Sequence, residues 1–200
     1  MSIPITHIDL IPSAAVDAGE VFCGSLDSPL SSDGLKDLKK AVRRKSGWDV
    51  VISSPKVRCV HFAEWIAQKH SLPLHQKKAF AEMDFGAWEG SFPHAVMEQS
   101  EEKLLLWWSD PALAKPPKGE AFASFQKRVQ RGWQQLLKQH KGQHILLITH
   151  PGVVRVLLSD VLGMPSRNFF SLQVEHGKIS RVRVTHDEGG LWSYVMTHGC

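Results

Sequence analysis

Three side chains in this 200-residue chain could together grip an anion and move a proton, and each stands near the end of a strand or in a loop. Arg58 follows Ser53-Ser54-Pro55; its guanidinium is always charged and offers a planar fork of donors. His150 follows an apolar run at 145–148 and Thr149, and precedes Pro151-Gly152. Glu82 lies among aromatic residues in Phe80-Ala-Glu-Met-Asp-Phe-Gly-Ala-Trp-Glu-Gly90. A cation, an imidazole and a carboxylic acid are the parts needed to hold a phosphate and protonate a leaving oxygen. Taken singly, each has a plainer reading: Arg58 as a surface ion pair, His150 as a cap or filler, Glu82 as a loop carboxylate.

The elements that must position them read as an α/β pattern. Residues 5–11 form a first strand stopped by Pro12, and a loop rich in Gly and Ser runs to about residue 30. Ser31 or Ser32 caps a helix carrying Leu35, Leu38 and Val42 on one face, with Lys39, Lys40, Arg43 and Arg44 late, where the helix dipole favours cations. A second strand covers 48–53, after which Ser54 caps and Pro55 takes the first helical position. Cys59, Phe62, Ala63 and Ile66 supply that helix's inner face. Further on come an extended piece near Leu74, two small helices (the second at 101–109) and a proline loop at 111–119. The longest helix, 120–140, has Phe122, Phe125, Val129, Trp133 and Leu136 on one stripe. The run at 145–148 followed directly by an apolar helix at 153–162, ended by Gly163 and Pro165, is the βα unit of a parallel sheet. Alternation at 179–185 and 191–196 around Gly189-Gly190 predicts an antiparallel pair at the C-terminal end. Three junctions, Pro12-Ser13, Ser53-Ser54-Pro55 with Arg58, and Thr149-His150, then share one sheet edge. There Arg58, in its helix's first turn, leans toward an anion at the helix start.

Bulk properties limit the function classes. A hydrophobic content of 42% and a charged content of 22% describe an ordinary globular domain, expected to be single over 1–200. The net charge of +4 is scattered, so a mild attraction for anions is expected and nucleic acid is not. Three distant cysteines, Cys23, Cys59 and Cys200, make neither a disulfide framework nor a zinc spacing, so no metal or cofactor is expected and the cytoplasm is the expected compartment. No signal-like N-terminus and no run of membrane-spanning length is present. His140 and His144 straddle a helix end, which argues against a shared metal. Of Trp107 and Trp108, only one can face the core. Arg155, inside an apolar helix, is expected to form a buried ion pair.

Ser53-Ser-Pro-Lys-Val-Arg58-Cys59, Glu82-Met-Asp-Phe-Gly-Ala-Trp-Glu-Gly90, Pro117-Lys-Gly-Glu120 and Thr149-His-Pro-Gly-Val-Val-Arg155 resemble, in order, the histidine phosphatase (phosphoglycerate-mutase-like) superfamily. The loop Gly24-Ser-Leu-Asp-Ser-Pro-Leu-Ser31 points to its α-ribazole phosphatase branch, linked to cobalamin biosynthesis. The resemblance implies a three-layer α/β/α sandwich on a mostly parallel sheet. It also implies that Arg58 holds phosphate, Glu82 donates a proton and His150 is the second, phosphate-binding histidine.

One motif departs. The family's Arg-His-Gly, whose histidine takes the phosphoryl group, falls on Pro12-Ser13-Ala14. Ser13 stands at the lost nucleophile position and would need an adjacent base. His7 is roughly 20 Å up the strand, while His61, one turn past Arg58, is a candidate to approach the pocket. Phe62 replaces a common threonine. Losing a covalent nucleophile typically costs about a million-fold, roughly 8 kcal/mol of barrier. The expected protein is thus an impaired family member that binds a phosphorylated small molecule, inorganic phosphate or a protein partner. The alternative is an active phosphomonoesterase using Ser13, His61 or a water activated by His150.

Overall fold

In the computed structural model, which describes residues 3–200, the continuous apolar runs become strands whose side chains divide between two cores. Strands β1 (Ile5–Pro12), β2 (Val50–Ser53), β3 (Leu74–Gln76), β4 (His144–Thr149), β5 (Ser180–Asp187) and β6 (Gly190–Thr197) form one sheet in the order β3-β2-β4-β1-β5-β6. The first four are parallel, and β5 and β6 add an antiparallel edge. Because side chains alternate, Ile8, Leu10, Val50, Ile52, Ile145 and Leu147 enter one core. Ile11, Val51, Leu146 and Ile148 enter the other. Helices α4 (Phe122–Gln139) and α5 (Pro151–Leu162) cover the first face, and α1 (Ser32–Ala41) and α2 (Val57–His70) cover the second. This is the expected three-layer sandwich.

Local signals set most boundaries. Ser31 caps α1, its Oγ accepting from the Gly34 amide at 3.0 Å, and Gly163 ends α5 in the left-handed region at φ 63°. Helix α3 (Pro93–Ser109) is broken at Ser100 (φ −151°, ψ 42°), which separates two shorter segments as expected. The predicted stripe of α4 is buried throughout. The start of α2 differs from expectation. Ser54 and Pro55 form a turn ahead of it, where Ser54 Oγ accepts from the Lys56 amide at 3.3 Å. The first α2 amide, Val57, donates instead to Asp27 Oδ1 at 2.8 Å, so a distant loop carboxylate caps the helix.

The far end of the sheet carries a buried polar cluster. Asp9, on β1, accepts from Arg181 Nε (2.6 Å) and Nη2 (2.8 Å) on neighbouring β5, and from Trp48 Nε1 (2.9 Å). His144 Nε2 lies 3.1 Å away. Burial raises the Asp9 pKa, but these partners outweigh it and hold the carboxyl well below the usual range. Next to β5, the edge strand β6 contains no charged residue and leaves Leu191, Trp192, Tyr194 and Met196 exposed.

Candidate functional site

Register places the site. Pro12 pairs with Thr149 and Ser53 with Ile148, so the carboxyl ends of β1, β2 and β4 lie side by side. Their loops, with α5 and the 80–90 segment, enclose a cavity of about 510 Å³ lined by Ser13, Arg58, Glu82, His150 and Arg155 on its polar side. All four site residues expected from the sequence therefore meet in one place. Phe22, Phe85, Trp107, Phe169 and Phe170 supply much of the rest of the wall. Trp107 is buried and Trp108 partly exposed, as adjacency requires.

Arg58 is 2% exposed and its donors are already committed. Nη1 donates to the Leu26 carbonyl (2.9 Å), Nη2 to the Cys23 (2.9 Å) and Gly24 (3.2 Å) carbonyls, and Nε to His150 Nδ1 (3.3 Å). Every acceptor is neutral, and no carboxylate among the described residues pairs with it. Glu89 grips the same loop from its amides, accepting from Gly24, Ser25 and Leu26, and from Phe85 (2.7–3.0 Å). Loop 23–26 is thus held by a cation on its carbonyls and a carboxylate on its amides. Gly24 is required there, since a Cβ would stand 1.8 Å from the Met83 carbonyl.

His150 is sealed between α2 and the strand ends. Burial, then the charges of Arg58, Lys56, Arg128 and His176, hold its pKa well below the ordinary value, so the ring is neutral. Nδ1 accepts from Arg58, which puts the ring proton on Nε2, and Nε2 donates to Ser54 Oγ at 2.7 Å. Cys59 Sγ lies 3.7 Å from Nε2, but burial pushes that thiol up to about 12 and it donates to the Thr149 carbonyl.

Glu82 caps the start of α5. Its Oε2 accepts from Gly152 N at 2.8 Å and Oε1 from Met83 N at 2.9 Å, while burial pushes the carboxyl up against those bonds. A Cβ at residue 152 would meet Glu82 Oε1 at 2.3 Å, so glycine permits this approach. Arg128, salt-bridged to Glu120, donates to the carbonyls of Ala79, Ala81 and Glu82 and fixes the segment carrying Glu82.

Ser13 is 3% exposed and faces the cavity, yet its hydroxyl makes no hydrogen bond among the described residues. The His150 nitrogens face Arg58, Ser54 and Cys59 instead. His61 lies exposed on α2, outside the cavity lining. The expected ion pair of Arg155 is absent among the described residues. Its Nε donates to the Leu172 carbonyl at 2.9 Å and its guanidinium lies 5.8 Å from the Phe170 ring centroid. Sequence reasoning missed Glu89, Asp27 and Arg128 as the groups that hold the site together. Glu89 and Asp27 stand inside the family-like motif strings, whereas Arg128, on α4, lies outside all of them and carried no signal.

A mostly parallel sheet with helices on both faces, and a crevice at the carboxyl ends of its strands, defines a three-layer α/β protein with its site where such folds place ligands. The chain belongs to the histidine phosphatase superfamily (branch 1), whose family model matches residues 14–197, from one residue beyond Ser13. It is 28% identical over 166 residues to the adenosylcobalamin/alpha-ribazole phosphatase of Escherichia coli strain K12, covering 82% of each chain. To phosphoserine phosphatase 1 of Hydrogenobacter thermophilus it is 28% identical over 165 residues, covering 82% of this chain and 78% of that one. The crystal structure of the alpha-ribazole phosphatase from Shigella flexneri superposes with a TM-score of 0.80 at 26% identity, over 97% and 96% of the two chains. Among the described residues no helix is long and apolar enough to cross a membrane.

Proposed function

We propose that this protein is a histidine-phosphatase-fold binder of a phosphorylated small molecule or phosphate, without an efficient phosphohistidine mechanism. The observation that carries this reading is the end of β1. Pro12 offers no cation, and the Ser13 hydroxyl is hydrogen-bonded to no base among the described residues: His150 is turned to Ser54, and His176 engages the Ser13 carbonyl through Nδ1 rather than the hydroxyl. Anion binding is supported by charge. Two guanidiniums, Arg58 and Arg155, line the cavity without a salt bridge among the described residues. Of the two lining glutamates, Glu82 is engaged by backbone amides and Glu20 is exposed. In this reading Arg58 contributes the field of an unpaired buried cation, His150 a neutral wall, and Glu82 the place of the family's proton donor. The relatives' names cover two different phosphomonoesters, so they indicate a phosphorylated ligand more firmly than its identity.

The test is an assay with p-nitrophenyl phosphate and α-ribazole 5′-phosphate, run beside the triple reversion Pro12→Arg, Ser13→His, Ala14→Gly. The expected result is no turnover above a boiled control for the natural chain and measurable turnover for the reversion. Efficient hydrolysis by the natural chain, abolished by His150→Ala, would establish the active reading instead. Phosphate should raise the melting temperature, and Arg58→Ala should remove the rise.

A further inference from the structure

Arg155 has no part in the site that the family resemblance implies. It sits three residues after Gly152 on α5, on the helix face whose amide holds Glu82. Only Nε has a partner, the Leu172 carbonyl; the two terminal nitrogens make no hydrogen bond to any described residue. Neither terminal nitrogen is among the sealed, unpartnered polar atoms of the interior, and Arg155 is one of the residues that line the cavity. Arg58 differs on this point, since four hydrogen bonds tie it to loop carbonyls and His150. A guanidinium fork with both tips free, beside Phe170, whose ring in turn lies 4.8 Å from that of Trp107, suits a planar or tetrahedral oxyanion attached to an apolar body.

We propose that Arg155 is the hydrogen-bonding donor that recognises the cavity's ligand, gripping one phosphate or carboxylate group while the ligand's apolar part lies against Phe170 and Trp107. It supplies the second cation that Pro12 cannot. This rests on the anion-binding part of the proposed function. A purely structural role, balancing the charge of Glu82, would show in the stability of the free protein and leave affinity for added anions unchanged.

Calorimetric titration of the full chain with phenyl phosphate, inorganic phosphate and benzoate separates these possibilities. The natural chain should bind phenyl phosphate saturably, and benzoate shows whether a carboxylate serves as well. Arg155→Met, which keeps the packing on Phe170, should raise Kd about 10–100-fold. Arg155→Lys, which keeps charge but loses the fork, should fall between. Unchanged Kd in folded Arg155→Met would overturn the inference and leave the anion-binding reading standing. No binding of any probe by the natural chain would overturn that reading itself. Should Arg155→Met not fold, Arg155→Lys decides: Kd equal to the natural chain's overturns the proposal, a weaker one supports it.

Discussion

At His150, burial and the charges of Arg58, Lys56 and Arg128 act in the same direction, so the folded chain keeps this ring neutral where an unfolded chain would protonate it. Its folded pKa lies below 6.5. Its contribution to stability is therefore fully present above pH 6.5 and is lost as pH falls toward the folded value. Glu82 has the opposite sign: its pKa is raised above 4.5, so its contribution is lost as pH rises past that point. Melting curves at pH 7 and pH 5 in a Glu82→Gln background isolate the histidine. Adding His150→Gln should flatten the acid-side loss by on the order of 1 kcal/mol. An unchanged slope would mean that His7 and His186, whose pKa values burial also lowers, account for it.

The loop over Arg58 and the helices around it show what holds the site as a unit. Glu89 accepts four amide hydrogen bonds, three from loop 24–26, so Glu89→Ala should cost about 1–3 kcal/mol. Amide exchange at Gly24, Ser25 and Leu26 should rise with it, and continued protection there would refute the clamp. This is also the scale at which the sequence stops being informative. Strands β1, β2 and β4, the α4 stripe and the C-terminal hairpin were legible because apolar period and Gly or Pro punctuation are local. The meeting of Ser13, Arg58, Glu82 and His150 was legible through the motif strings. The capping of α2 by Asp27, the grip of Glu89 and the carbonyl partners of Arg58 join residues 30 or more positions apart. No local pattern encodes them. Arg155 misled for a related reason: a cation in an apolar helix suggests a carboxylate partner, but a backbone carbonyl and an aromatic ring suffice.

For the molecule as a whole, the Asp9 cluster ties the antiparallel edge to the parallel sheet. Asp9 joins β1 to Arg181 on β5, beside Trp48 and His144 from the opposite side of the strand order. Asp9→Asn should lower unfolding free energy in urea by about 2–3 kcal/mol, because charge-assisted bonds to Arg181 are lost. A single cooperative transition in both proteins is the outcome that a single folding unit predicts. Two separated transitions would show instead that β5 and β6 unfold apart from the sheet they join.

The uncharged β6 edge has a practical consequence for anyone handling the protein. An eight-residue edge strand with open backbone groups, four exposed apolar side chains and no lysine or proline lacks the usual guards against strand addition. Renaturation from urea is accordingly a contest between chain closure and pairing of one chain's edge with another's. The second process grows with concentration, so yield should be highest in dilute solution, and a lysine replacing Tyr194 is the natural solubilising change.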